Sequence, residues 1–98
     1  MFTIKITDEF DIWLDGLRDR KAQRRIAARL RKLSFGLFGD VKPVGEGVTE
    51  AREHFGPGYR IYFTRRGKAL IVVLAGGDKS SQQSDIELAL TLARQLED

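Results

Sequence analysis

The stretch HFGPGYRIYF, residues 54–63, gathers the single histidine of the chain, both tyrosines and Arg60 around a Gly-Pro-Gly turn. These side chains suit cleavage of an RNA phosphodiester by its own 2′-hydroxyl. That reaction needs a group to take the hydroxyl proton, a cation to stabilise the crowded phosphate of the transition state, and a proton for the departing 5′-oxygen. Arginine offers a planar fork that matches phosphate oxygens. Histidine supplies acid or base near neutral pH. Tyrosine donates a proton or stacks on a base. The plainer alternative is a hairpin whose aromatics pack at the sheet edge, with Arg60 paired to Glu50, since strands favour aromatic residues.

Strand parity decides which of these side chains can meet. VTEAREHF (48–55) alternates as a strand and puts Val48, Glu50, Arg52 and His54 on one face. Thr49, Ala51, Glu53 and Phe55 take the other. In YRIYFTR (59–65), Arg60, Tyr62 and Thr64 share a face, while Tyr59, Ile61 and Phe63 take the core side. Arg52, His54, Arg60 and Tyr62 can then converge, provided the hairpin register does not slip by one residue.

The elements that must hold this hairpin follow from periodicity. FTIKI (2–6) alternates as a short strand, and Thr7 or Asp8 can cap the helix after it. Phe10, Trp13, Leu14 and Leu17 form one apolar stripe. Ala22, Ile26, Leu30 and Leu33 form a second behind an Asp19 cap, and Gly36 sits where a helix ends. Residues 36–47, with four glycines and a proline, read as a loop. ALIVVLAG (69–76) is continuously apolar, which predicts a central strand. Ser84 with Glu87 fits a capping box for a last helix striped by Ile86, Leu90, Ala93 and Leu96. The expected fold is α+β in the order β-α-α-β-β-β-α, with a helical hairpin on a mainly antiparallel sheet and a C-terminal helix. The 98 residues make one domain.

Composition narrows the chemistry. There is no cysteine, which excludes disulfides and thiolate sites and suits a reducing cytosol. No metal site or cofactor is expected, because the lone histidine has no partner at ligand spacing. The start of the chain lacks a signal pattern, and no apolar run is long enough to span a bilayer, so no membrane partner is expected and the location expected is the cytoplasm. Net charge is +3, unevenly spread. Residues 17–33 carry eight basic side chains and one acid, whereas residues 78–98 carry two basic side chains and five acids. A basic block of this kind suits a polyanionic partner, or simply forms a solvated helix face. Lys79 in GGDKSS either contacts phosphate or is a surface lysine near a helix start.

Three linked motifs go further. GDVKPVGEGV, GPGYR-Y and GGDKS-Q--DI, at these spacings, resemble the HigB-like addiction module killer proteins. These form a branch of the RelE/ParE superfamily of toxins from bacterial type II toxin–antitoxin systems, and the resemblance covers residues 10–93. It implies a RelE-like fold and a ribosome-dependent, metal-independent mRNA endoribonuclease that inhibits translation. It also implies a cognate helix-turn-helix antitoxin as partner. By position it assigns Arg60 and Lys79 to phosphate and transition-state contacts, with His54 and Tyr62 as candidates for proton transfer. Arg52 and Lys42 join them as RNA contacts, and the basic face, including Arg24, Arg25, Arg29 and Lys32, docks on ribosomal RNA. A ParE-like inhibitor of DNA gyrase and an inactive antitoxin-binding module share the fold and are the alternatives. The chain departs from the family pattern in three ways. Ala51 replaces a larger apolar residue, Glu53 falls on the core face and predicts an exposed strand end, and no tyrosine stands near the C-terminus.

Overall fold

A computed structural model describes residues 1–96. Strand β1 (Thr3–Ile6) runs straight into helix α1 (Asp8–Asp15) through Thr7. The Thr7 hydroxyl accepts from the Phe10 N–H at 3.1 Å and donates to the Leu74 carbonyl at 2.6 Å. One side chain thus caps α1 and ties it to the sheet. Asp19 caps α2 (Arg20–Ser34) through the N–H groups of Lys21 and Ala22. Gly36, at φ 78°, closes α2 with paired bonds from its own N–H to Leu33 and from the Leu37 N–H to Lys32. Only a residue that tolerates this left-handed conformation satisfies the last carbonyls in that way.

The segment expected to be a loop contains a strand. Val41–Gly45 forms β2, which pairs antiparallel with β3 (Val48–Arg52) through the two-residue turn Glu46-Gly47. Both turn residues have positive φ, as a tight hairpin of the right twist requires. β2 is an edge strand, so Pro43 costs the sheet no necessary donor. β4 (Arg60–Arg66) and β5 (Leu70–Gly77) complete a sheet in the order β1-β5-β4-β3-β2. All neighbours are antiparallel except β1 and β5, which are parallel.

Two apolar layers result. Phe10, Ile26, Leu33, Ala51, Ile61, Phe63 and Val73 fill the space between the sheet and the α1–α2 pair. Val48, Tyr62, Leu74, Ala89 and Ala93 pack under α3 (Gln82–Gln95) on the opposite face. A bulge between Tyr62 and Phe63 in the β4–β5 register lets Leu74 and Ala75 both face α3. The start of α3 differs from the expected one. Asp78 caps a short 3-10 turn, Lys79–Ser81, that feeds directly into α3, and Ser84 lies inside the helix. No described helix is long and apolar enough to cross a membrane.

Candidate functional site

The β3–β4 register sets Arg52 opposite Arg60 and Glu50 opposite Tyr62, and β4–β5 sets Arg60 opposite Gly77. Three strand ends therefore bring Arg52, Arg60 and the Lys79 turn to one end of the sheet. The loop between β3 and β4 is closed by a bond from the Glu53 N–H to the Tyr59 carbonyl and another from the Gly58 N–H to the Phe55 carbonyl. Gly58, at φ 80°, packs so near Lys79 and Arg60 that a methyl there would lie 3.5 Å from the Lys79 Cβ. The result is an open cleft of about 280 Å³ whose lining includes His54, Gly58, Arg60 and Lys79.

Arg60 is set into the edge of this cleft and is only 8% exposed. Its Nη1 donates to the Gly58 and Tyr59 carbonyls, and its buried Nε has no hydrogen-bond partner. The nearest carboxylate oxygen, Glu50 Oε1, is 3.9 Å from that Nε. Glu50 is itself buried. Its Oε2 accepts from the Tyr62 hydroxyl at 3.1 Å and from Gln82 Nε2 at 2.8 Å. Burial, reinforced by the Glu50 charge, pushes the Tyr62 phenol well above its ordinary pKa. Arg60 is thus ion-paired with Glu50 on its buried side, as the plainer alternative expected, while it also lines the open cleft beside Lys79.

A second groove, of about 360 Å³, lies on the α2 side of His54. Arg25, Lys32 and Arg52 border it, and His54 and Glu53 line both cavities. Arg29 is built into its wall. The Arg29 guanidinium pairs with Glu53 and donates to the carbonyls of Arg52, Phe38 and Asp40. Asp40 holds Arg52 through Oδ1 at 2.8 Å and His54 through Oδ2 at 2.5 Å. Hydrogen bonds from Arg52 and then His54 lower the Asp40 carboxyl from 3.8 to about 2. Arg25 lies over the Phe55 ring, 4.1 Å from its centroid. Among the described residues, no cluster of three or more acidic or histidine side chains could hold a metal ion.

The expected residues therefore divide. His54, Arg60 and Lys79 meet in the cleft, and Arg25, Lys32 and Arg52 border the adjoining groove. Tyr62 does not join them, because it is 0% exposed beneath α3 and spends its hydroxyl on Glu50. Arg29 is buried and committed to holding the chain together, since it lies three residues from Ile26 and four from Leu33 on the apolar stripe. Glu53 is not at an exposed strand end. It is half-buried because Arg29 reaches it from α2. Lys42 and Arg24 are exposed and line neither cavity. Tyr59 packs against Trp13 and Phe55 in the core. Asp40 and Gln82 escaped the sequence reading. With β2 taken as loop, nothing placed Asp40 beside Arg52.

No family model matches the chain. Over 93 residues it is 45% identical to an uncharacterized protein of Haemophilus influenzae, a span of 95% of this chain and 94% of that one. The chain belongs to that protein's family. The match spans nearly the full length of both chains.

Proposed function

We propose that the chain is a HigB-like toxin of the RelE/ParE kind that cleaves mRNA on the ribosome without a metal. The observation that carries this reading is the cleft itself, where an arginine, a lysine and an exposed histidine line one small opening. The 2′-oxygen attacks the adjacent phosphorus and the bond to the 5′-oxygen breaks. Arg60 and Lys79 offset the extra charge of the five-coordinate phosphate. His54 takes the hydroxyl proton, and water reprotonates the departing oxygen. The strand order and the helical pair on one face fit the RelE-like arrangement that the motifs imply. Arg24 and other exposed cations of α2 would dock on ribosomal RNA. The partner expected is a helix-turn-helix antitoxin.

Inducing the chain and mapping mRNA 5′ ends in arrested cells tests this. New ends positioned by codon are expected with the wild type. Arg60→Ala should reduce cleavage about 10²- to 10³-fold, the usual loss when a transition-state donor is removed. Arrest with intact mRNA and blocked DNA supercoiling would instead identify a gyrase poison.

A further inference from the structure

An imidazole on a loop is a poor base unless something fixes its orientation and its tautomer. The His54 side chain is 70% exposed and sits on the ridge between cleft and groove. Asp40 lies on the groove side only, whereas Arg60 and Lys79 lie on the cleft side only. Asp40 Oδ2 is 2.5 Å from His54 Nε2. The Asp40 backbone is itself anchored, because its carbonyl accepts from the Arg52 N–H at 3.0 Å and from buried Arg29 Nη2 at 2.9 Å. Arg52 Nη2 then fixes the other carboxylate oxygen. The carboxylate is thus held in place by α2 and β3 before it touches the imidazole.

We propose that Asp40 is the positioning residue for proton transfer, holding neutral His54 with its proton on Nε2 so that Nδ1 serves the cleft. The inference rests on the nuclease reading. The Nδ1 lone pair takes the 2′-hydroxyl proton as the 2′-oxygen bonds to phosphorus, and the bond to the 5′-oxygen breaks. That oxygen takes a proton from water. The imidazolium later returns its own proton to solvent, leaving a 2′,3′-cyclic phosphate and a 5′-hydroxyl. Asp40 stays ionised throughout, because Arg52 and His54 keep its carboxyl near 2. It steadies the imidazolium that forms and takes up no proton itself.

Two measurements on the intact chain test this. Imidazole nitrogen NMR above the His54 titration should find the proton on Nε2 in the wild type, with reversion to mixed tautomers in Asp40→Ala. Cleavage of ribosome-bound mRNA by Asp40→Ala should fall about 10²-fold in kcat with KM little changed. Asp40→Asn keeps an oxygen acceptor and should keep the tautomer and part of the rate. Arg52→Ala should keep the tautomer too. Mixed tautomers in the wild type overturn the proposal, even if Asp40→Ala fails to fold. An unchanged kcat in a folded Asp40→Ala overturns it as well. A wild type that cleaves no RNA overturns the nuclease reading and with it any catalytic role for Asp40. The NMR measurement still decides whether Asp40 holds His54.

Discussion

Two residues of one sequence pattern, Tyr62 and His54, end in opposite environments. Parity places both on the face of Arg60, but α3 covers Tyr62, whereas the loop carries His54 beyond the last rung of the ladder. Parity states which face a side chain takes and is silent about what lies on that face. Asp40 carries a pH signature of the same local kind. Its folded carboxyl titrates near 2, below its ordinary 3.8, through bonds from Arg52 and His54. A depressed carboxyl contributes stability that is fully present above the unfolded value and is lost as pH falls through the folded one. Asp40→Asn should therefore be less stable than the wild type at pH 6, and the gap should close between about pH 4 and pH 2. Urea midpoints across that range measure it. A gap that stays constant down to pH 2 would show that the carboxylate charge contributes nothing.

Among the elements, β1, β3, β4 and β5 were legible and the edge strand β2 was not. β4 and β5 announce themselves through alternation and a continuous apolar run. β2 carries Pro43 and glycines that read as loop, because an edge strand is free of the demands that shape a central one. The glycines that end β5 have a different cause, which is close approach. The Trp13 ring lies directly against Gly76, and the Asp85 carboxylate lies directly against Gly77, so a methyl on either would overlap its neighbour. β5 is thus clamped between α1 and α3 immediately before the turn that carries Lys79. Gly76→Ala should force Trp13 off Tyr59 and Phe10 and cost about 1–3 kcal/mol, as overpacking of a filled core does. Chemical denaturation reads that cost, and near-UV circular dichroism of the single tryptophan reads the displacement. An unchanged midpoint would mean that α1 shifts as a body to make room.

Across the whole molecule, the basic block of α2 is not one surface. Arg29 turns inward, Arg25 and Lys32 border the groove, and Arg24 and Arg31 are exposed and line neither cavity. The charge excess seen in the sequence is therefore sorted by the helix into a structural arginine, a groove edge and an outer face. A single-stranded RNA that reaches the cleft along the groove would place phosphates against Arg25 and Lys32. Neither makes an ion pair among the described residues, so both are free to replace condensed counterions. Affinity for a short single-stranded RNA, measured by fluorescence anisotropy over a range of salt, should follow a log–log line. Arg25→Ala and Lys32→Ala should each flatten its slope by about 0.7, the share of one phosphate contact on a single strand. Arg31→Ala, on the outer face, should leave the slope unchanged. Equal flattening by all three variants would mean that the RNA is drawn by the field of the helix and follows no path along the groove.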